Sequence, residues 1–141
     1  MINENIFRAY DIRGVYPQEI NPEVVSLVVD CLVKIYQEQP PLKKSKKIIV
    51  GYDARLSSPI LYRSVIRELK KFPKIKIIKG GIMTTPMSYF LINYLKADGG
   101  LVITASHNPY KYNGLKMSKK NAEPLNGLQI LKIIKKNKTI K

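Results

Sequence analysis

Cysteine and histidine are almost absent from this sequence of 141 residues, which has one of each, Cys31 and His107. A single cysteine excludes an internal disulfide and any metal site built from several cysteines. Cys31 stands among valines and leucines, so we predict a buried side chain and not a reactive thiol. His107 has no second ligand at metal-binding spacing, and from the residues alone we predict that it holds its own loop through hydrogen bonds.

Long hydrophobic runs are missing too. No apolar run approaches the roughly 20 residues that a membrane-spanning helix needs. The opening segment, MINENIFRAYDIRG, contains both acidic and basic residues and no apolar core, so we predict that it is not a signal peptide. The glycine patterns of P-loops and of dinucleotide-binding folds are absent as well. We therefore expect a cytoplasmic protein with no membrane partner.

Acidic residues are few, with 10 Asp and Glu against 25 Lys and Arg and a net charge of +15. Lysines cluster at 43–47, at 70–71 and at 132–141. A nucleic-acid surface is one explanation. However, the clusters are dispersed, arginines are scarce, and no helix-turn-helix, zinc-finger or RNA-binding signature accompanies them. We favour a solvated basic surface, whose field would also attract a phosphorylated metabolite.

Predicted strands and helices alternate along the chain. Hydrophobic spacing predicts helices at 22–38, at 58–72, from Thr85 onward and at 125–137, and strands at 47–53, 74–80, 100–104 and 114–118. The first three helices begin with a capping residue followed by proline, at Asn21-Pro22, Ser58-Pro59 and Thr85-Pro86. This alternation predicts an α/β fold, a three-layer α/β/α domain with a mixed, mostly parallel sheet.

Three loops carry most of the chemically useful side chains. They are FRAYDIRG at 7–14, GYDARLSS at 51–58 and TASHNPYKYNGLK at 104–116. In a parallel sheet such loops meet at one edge, where Ser106 could act as a nucleophile or phosphoryl carrier beside Lys116 and Arg13. The residues leave an alternative open, because a serine beside Asn-Pro is also ordinary turn chemistry.

The second of these loops contains Asp53 and Arg55. We expect these two side chains to shape their own loop.

The amino-acid sequences of the three loops resemble the motifs of a known family. FRAYDIRG, VGYDARLSSP and ITASHNPYKYNGLK are similar in order and spacing to the α-D-phosphohexomutase family, and FRAYDIRG is similar to its mannose and glucose branch. The resemblance extends over essentially all 141 residues. It implies that residues 1–141 are the first, phosphoserine-bearing domain of such an enzyme, and that its later domains are absent from this chain.

The resemblance also implies roles for individual residues. Ser106 would carry the transferable phosphoryl group, and its phosphate would give one oxygen to a catalytic Mg²⁺ ion. Lys116 would assist proton transfer or steady the phosphate charge, and Arg13 would face the phosphoserine. His107 and Asn108 would help to hold phosphoserine and substrate.

Two further roles come from the same resemblance. Tyr10 would lie at the mouth of the site and contact substrate. Gly114 would let the chain bend between the serine loop and the lysine.

The function implied is interconversion of hexose 6-phosphate and hexose 1-phosphate, of mannose or glucose, through a hexose 1,6-bisphosphate. The family's magnesium carboxylates and sugar-binding loops belong to later domains, so we expect little turnover from this chain alone. Alternatives are a truncated, non-catalytic domain and a basic nucleic-acid-binding module. A free-standing domain should also expose a patch for its missing neighbour, which we predict after the third helix and on the final helix.

Overall fold

A five-stranded mixed sheet forms the middle layer of the computed structural model, which describes residues 2–42 and 44–139. The strands are β1 Ile12–Val15, β2 Lys46–Tyr52, β3 Ile75–Ile82, β4 Gly99–Ile103 and β5 Tyr112–Lys119, in the order β1-β5-β4-β2-β3. The helices are α1 Pro22–Glu38, α2 Ser58–Leu69, α3 Thr85–Tyr94 and α4 Gly127–Thr139. β2 is parallel to β3 and β4, whereas β5 is antiparallel to β4 and β1. The predicted mixed, mostly parallel sheet is confirmed.

Helices cover both faces of this sheet, which confirms the three layers. On one face α1 packs against α2 and α4, and their apolar side chains join the sheet in one large core that includes Leu101 and Ile103 of β4. On the other face α3 packs against β4 and β2 over a smaller core that includes Val102. Successive β4 residues serve opposite cores because side chains alternate along a strand.

The first three helices begin at Pro22, Ser58 and Thr85, as predicted, but two of the three predicted capping residues are displaced by one residue. The Asn21 side chain accepts N–H bonds from the first turn of α1, as predicted. The N-cap of α3 is Thr84 and not Thr85, and the Thr84 hydroxyl accepts from the backbone of that turn. The N-cap of α2 is Ser57 and not Ser58. In both displaced cases proline occupies the second helical position and not the first.

Strand β1 corrects the sequence analysis, which placed residues 7–14 in a loop. β1 is an edge strand of four residues that pairs antiparallel with β5, with Ile12 opposite Leu115. Four residues are too few for a two-residue hydrophobic period to stand out, so the pairing partner defines this strand and the local pattern does not.

Gly114 lies inside β5, so the predicted bend at this glycine is wrong. Gly114 instead allows the backbones of β5 and β1 to approach closely, because a Cβ atom built there would lie 2.0 Å from the carbonyl oxygen of Ile12 on β1. Only glycine lets the two backbones come so near.

Cys31 is buried in the large core, as predicted, and burial raises the pKa of its thiol to about 11. No helix among residues 2–42 and 44–139 is long and apolar enough to cross a membrane.

Large exposed apolar side chains lie on α3 itself, at Met87, Phe90 and Tyr94. The segment after this helix, which we predicted to be exposed, instead buries Ala97 and Asp98. On the final helix Leu128 is exposed, and a patch for a neighbouring domain there stays a prediction.

Candidate active site

The three loops singled out in the sequence meet at one edge of the sheet. Ile103, the last residue of β4, is level with Tyr52 of β2 and with Leu115 of β5. Leu115 in turn pairs with Ile12 of β1. The segments that follow β2 and β4, together with β1, therefore surround the same point, as parallel strands require.

The serine loop, residues 104–111, turns sharply and exposes Ser106. Ser106 has a φ of 56°, in the left-handed region that non-glycine residues seldom occupy. Its backbone N–H donates to the hydroxyl of Thr104 at 2.9 Å. Its own hydroxyl lies 3.4 Å from Nδ1 of His107, which is also exposed. The loop thus presents the serine oxygen to solvent with one imidazole beside it.

Ser106 and Lys116 line the same open pocket, of about 460 Å³. Lys116 pairs with Val102 across β5 and β4, and Val102 belongs to the small core under α3, so the lysine stands on the α3 face of the sheet. The complete lining is Thr84, Thr85, Pro86, Tyr89, Thr104, Ser106 and Lys116. The serine and the lysine that the sequence analysis selected are therefore brought together.

The first turns of α3 form a pocket wall that the sequence analysis missed. Thr84, Thr85 and Tyr89 line the pocket there, and burial raises the pKa of the Tyr89 phenol. A usable signal existed, since Thr84 closely follows the carboxyl end of β3, a strand parallel to β2.

Arg13 reaches the serine loop through Asn108 and is not part of the pocket lining. Its Nε and Nη2 atoms each lie 2.6 Å from Oδ2 of Asp11, and its Nη1 donates to Oδ1 of Asn108 at 2.8 Å. The arginine side chain is only 16% exposed. In this structure Arg13 and Asn108 therefore brace the loop from the β1 side.

Arg55 contacts the serine loop more extensively than its own loop. It binds Asp53, as predicted, with 3.1 Å between Nε and Oδ2. Its Nη1 and Nη2 atoms also donate to four backbone carbonyls, those of Ser106, Asn108, Pro109 and Tyr112, at 2.8–3.0 Å. Nothing in the local sequence indicates this contact.

Tyr10 is 69% exposed and lies outside the pocket lining, in the segment before β1.

The described residues do not complete a metal site. They contain no group of three or more His, Cys, Asp and Glu side chains placed to hold an ion. Mg²⁺ requires a near-octahedral set of oxygen ligands. Magnesium binding through a phosphate on Ser106 stays a prediction.

A sequence model described as "Phosphoglucomutase/phosphomannomutase, alpha/beta/alpha domain I" matches residues 4–141. The chain belongs to this family. The match covers nearly all of the sequence, so the predicted resemblance to the first phosphohexomutase domain is confirmed.

Curated relatives of the family agree. A phosphomannomutase of Methanocaldococcus jannaschii is 37% identical over 129 residues, which are 92% of this chain and 26% of the relative. A protein of Xanthomonas campestris named "Phosphohexose mutases" is 35% identical over 84% of this chain and 25% of its own length. A phosphomannomutase of Klebsiella pneumoniae is 36% identical over 86% of this chain and 72% of its own length. This chain therefore spans about a quarter of the first two relatives.

A solved member of the family has the same fold. The phosphoglucomutase/phosphomannomutase family protein of Burkholderia thailandensis superposes with a TM-score of 0.81 at 27% identity, over 98% of this chain and 31% of that protein.

Proposed function

We propose that residues 1–141 are the phosphoserine domain of a phosphohexomutase that interconverts hexose 6-phosphate and hexose 1-phosphate, of mannose or glucose. One observation supports this most strongly. In a phosphohexomutase domain I, Ser106 is exposed in a left-handed turn and shares an open pocket with Lys116. Such a serine is positioned to hand a phosphoryl group to a ligand in the pocket.

The reaction has two transfers that mirror each other. First, a hydroxyl oxygen of the hexose phosphate forms a bond to phosphorus while the bond from phosphorus to Oγ of Ser106 breaks, which leaves hexose 1,6-bisphosphate and a free serine. The proton of the sugar hydroxyl is taken up by a base, for which Lys116 is the candidate, and Oγ of Ser106 leaves with a proton as the serine hydroxyl. Then Ser106 takes the other phosphoryl group from the bisphosphate. Positioning and charge neutralisation dominate such transfers.

The side chains around Ser106 divide into two groups under this proposal. Lys116, in the pocket wall, steadies the negative charge of the transferring group or carries the hydroxyl proton. His107, beside the serine hydroxyl, and Tyr10, exposed in the segment before β1, are available to contact the sugar phosphate. Arg13 and Asn108 bind each other, so they act first on the loop and through it on the phosphoserine.

Magnesium and the remainder of the sugar site require residues outside this chain. We propose that the phosphate on Ser106 supplies one Mg²⁺ ligand and that carboxylates of later domains supply the others, because the described residues offer no ligand cluster. Later domains would also complete the sugar pocket, so residues 1–141 alone should turn over slowly or not at all. A cytoplasmic location fits substrates that are charged sugar phosphates.

The test uses the full polypeptide that carries this chain in its source cell. Interconversion of mannose and glucose 1- and 6-phosphates is measured for the wild type, for Ser106→Ala and for the control Ser45→Ala, which changes a serine outside the pocket. Loss of the nucleophile should lower turnover by at least about 10³-fold while the control stays unchanged.

Two results would contradict this proposal. Turnover by Ser106→Ala at the wild-type rate would remove the phosphoserine mechanism. Rapid turnover by residues 1–141 alone, abolished by Ser106→Ala, would remove the need for later domains.

A further inference from the structure

We infer that Arg55 is a positioning residue for phosphoryl transfer, which holds the serine loop in the conformation that presents Ser106. The inference rests on the proposed function for its catalytic consequence. Its structural basis is independent, because it comes from the hydrogen bonds of one side chain that the sequence analysis assigned to its own loop.

All five N–H donors of the Arg55 guanidinium face acceptors. Nε donates to Asp53, and the two Nη atoms divide four carbonyls of the segment 106–112 between them. The side chain itself is only 13% exposed, although its bonds to the carbonyls of Ser106 and Pro109 lie at the protein surface. A planar guanidinium carries five donors in a fixed fork, whereas a lysine carries three on one nitrogen. Lysine cannot reproduce the contact.

These bonds hold the backbone at the point where it is strained. Ser106 has a φ of 56°, and a non-glycine residue in that region needs surrounding structure to keep it there. Its N–H is held by the Thr104 hydroxyl at 2.9 Å, and its carbonyl is held by Arg55 at 2.8 Å. The backbone of Ser106 is therefore hydrogen-bonded on both sides of its Cα atom, and Arg55 makes one of the two bonds.

Arg55 is itself anchored to a rigid element. The Asp53 carboxylate that binds Nε of Arg55 also accepts a hydrogen bond from the hydroxyl of Ser58, the first residue of α2, with 2.6 Å between Oγ and Oδ1. The Arg55 backbone N–H donates to the same carboxylate at 3.1 Å. Support thus passes from α2 through Asp53 and Arg55 into the serine loop.

This arrangement predicts a selective kinetic defect. The pocket lining does not include Arg55, so substrate affinity should change little when the arginine is replaced. The serine oxygen would lose its fixed position, and small misplacements of a reacting group cost up to about 10²-fold in rate. Arg55→Lys should therefore lower kcat by roughly 10-fold or more at a nearly unchanged KM.

The experiment uses the full polypeptide, with Arg63→Lys as the matched control. Arg63 is an exposed arginine of α2 outside the pocket that contains Ser106. Steady-state kinetics give kcat and KM, and hydrogen exchange followed by mass spectrometry reports on residues 104–112. We expect faster exchange in this segment and lower kcat for Arg55→Lys, with neither change for Arg63→Lys. Added guanidinium ion should partly restore kcat to Arg55→Ala.

The outcomes separate this inference from the proposed function. If the wild type is active, and Arg55→Lys shows the wild-type kcat and the wild-type rate of hydrogen exchange in residues 104–112, the inference is overturned. If the wild type is inactive, the proposed function fails, and exchange in residues 104–112 still decides whether Arg55 holds the loop. Should Arg55→Lys fail to fold, Asp53→Asn weakens the same anchor, and an unchanged kcat in that variant overturns the inference.

Discussion

The two faces of the sheet differ in how much they bury. The face under α1, α2 and α4 forms one large apolar core, whereas the face under α3 buries a small cluster. The small cluster is Ile49, Met83, Ile92, Ala97 and Val102. On its outer side α3 leaves Met87, Phe90 and Tyr94 exposed. We call the face under α1, α2 and α4, with its large core, the thick face, and the face under α3, with its small core, the thin face.

The candidate pocket lies on the thin face. Lys116 and Thr104 reach it from the sheet edge, and Tyr89 reaches it from α3. Buried apolar area stabilises a fold, but a site for a charged ligand needs exposed polar groups. Apolar burial and the polar pocket lie on different faces of the sheet. Side chains on the thick face should therefore control stability, and those at the pocket should control catalysis.

Truncation on the thick face should have the largest effect on stability. Leu61 of α2 is fully buried in the large core, so Leu61→Ala removes apolar contacts and leaves a cavity. We expect a loss of about 2–5 kcal/mol in the free energy of unfolding, measured by urea titration. Activity per folded molecule should remain at the wild-type level. A marked drop in that activity would mean that the two faces are not separate.

A smaller loss should follow at the border between the faces, at Gly114. An added methyl group would collide with the Ile12 carbonyl of the paired strand, so Gly114→Ala must push β1 away from β5. We expect about 1–3 kcal/mol of destabilisation. Because β1 carries Arg13, the variant should also speed hydrogen exchange in the serine loop. Full stability in this variant would show that the strand pair tolerates the methyl group.

The buried thiol of the thick face should make stability depend on alkaline pH. Burial raises the pKa of Cys31 from 9.0 to about 11, so the folded protein keeps a proton that the unfolded chain releases. The contribution is complete below pH 9 and declines between about pH 9 and pH 11. Urea titrations at pH 8 and pH 10 should show a smaller alkaline loss for Cys31→Ala than for the wild type. Equal losses would contradict the prediction.

The smallest effect should come from the outer side of α3. Met87 is half exposed, and glutamine forms helices about as well as methionine. Met87→Gln should change the free energy of unfolding of residues 1–141 by no more than about 0.5 kcal/mol. A thermal or urea transition shifted well beyond that range would show that the thin face contributes more than its burial indicates.

Comparison of prediction with structure shows which contacts leave a local trace. The helix 22–38 was predicted with its bounds, because its apolar spacing and its Asn21 cap are features of neighbouring residues. Caps at Ser58 and Thr85 were displaced by one residue, since adjacent serines and threonines offer the same chemistry at two positions. Strand β1 was missed because its pairing with β5 defines it.

The candidate site shows the same division. Ser106 and Lys116 were selected from a recognisable sequence word, and the structure places both in one pocket. Tyr89 was missed because the approach of α3 to the sheet edge brings it there. Arg13 was selected as a partner of the phosphoserine, and that role stays a prediction; the structure adds its bonds to Asp11 and Asn108.

The sequence by itself determined the alternation of strands and helices, the family, and the exposed serine loop after a buried strand. Hydrophobic periodicity, helix caps and loop motifs each depend on residues a few positions apart, so the sequence alone reveals them. Only the tertiary structure decided which side chains hold that loop. Arg55 is 51 positions from Ser106 and Arg13 is 95 positions from Asn108, and such contacts exist only after the sheet has brought its loops to one edge.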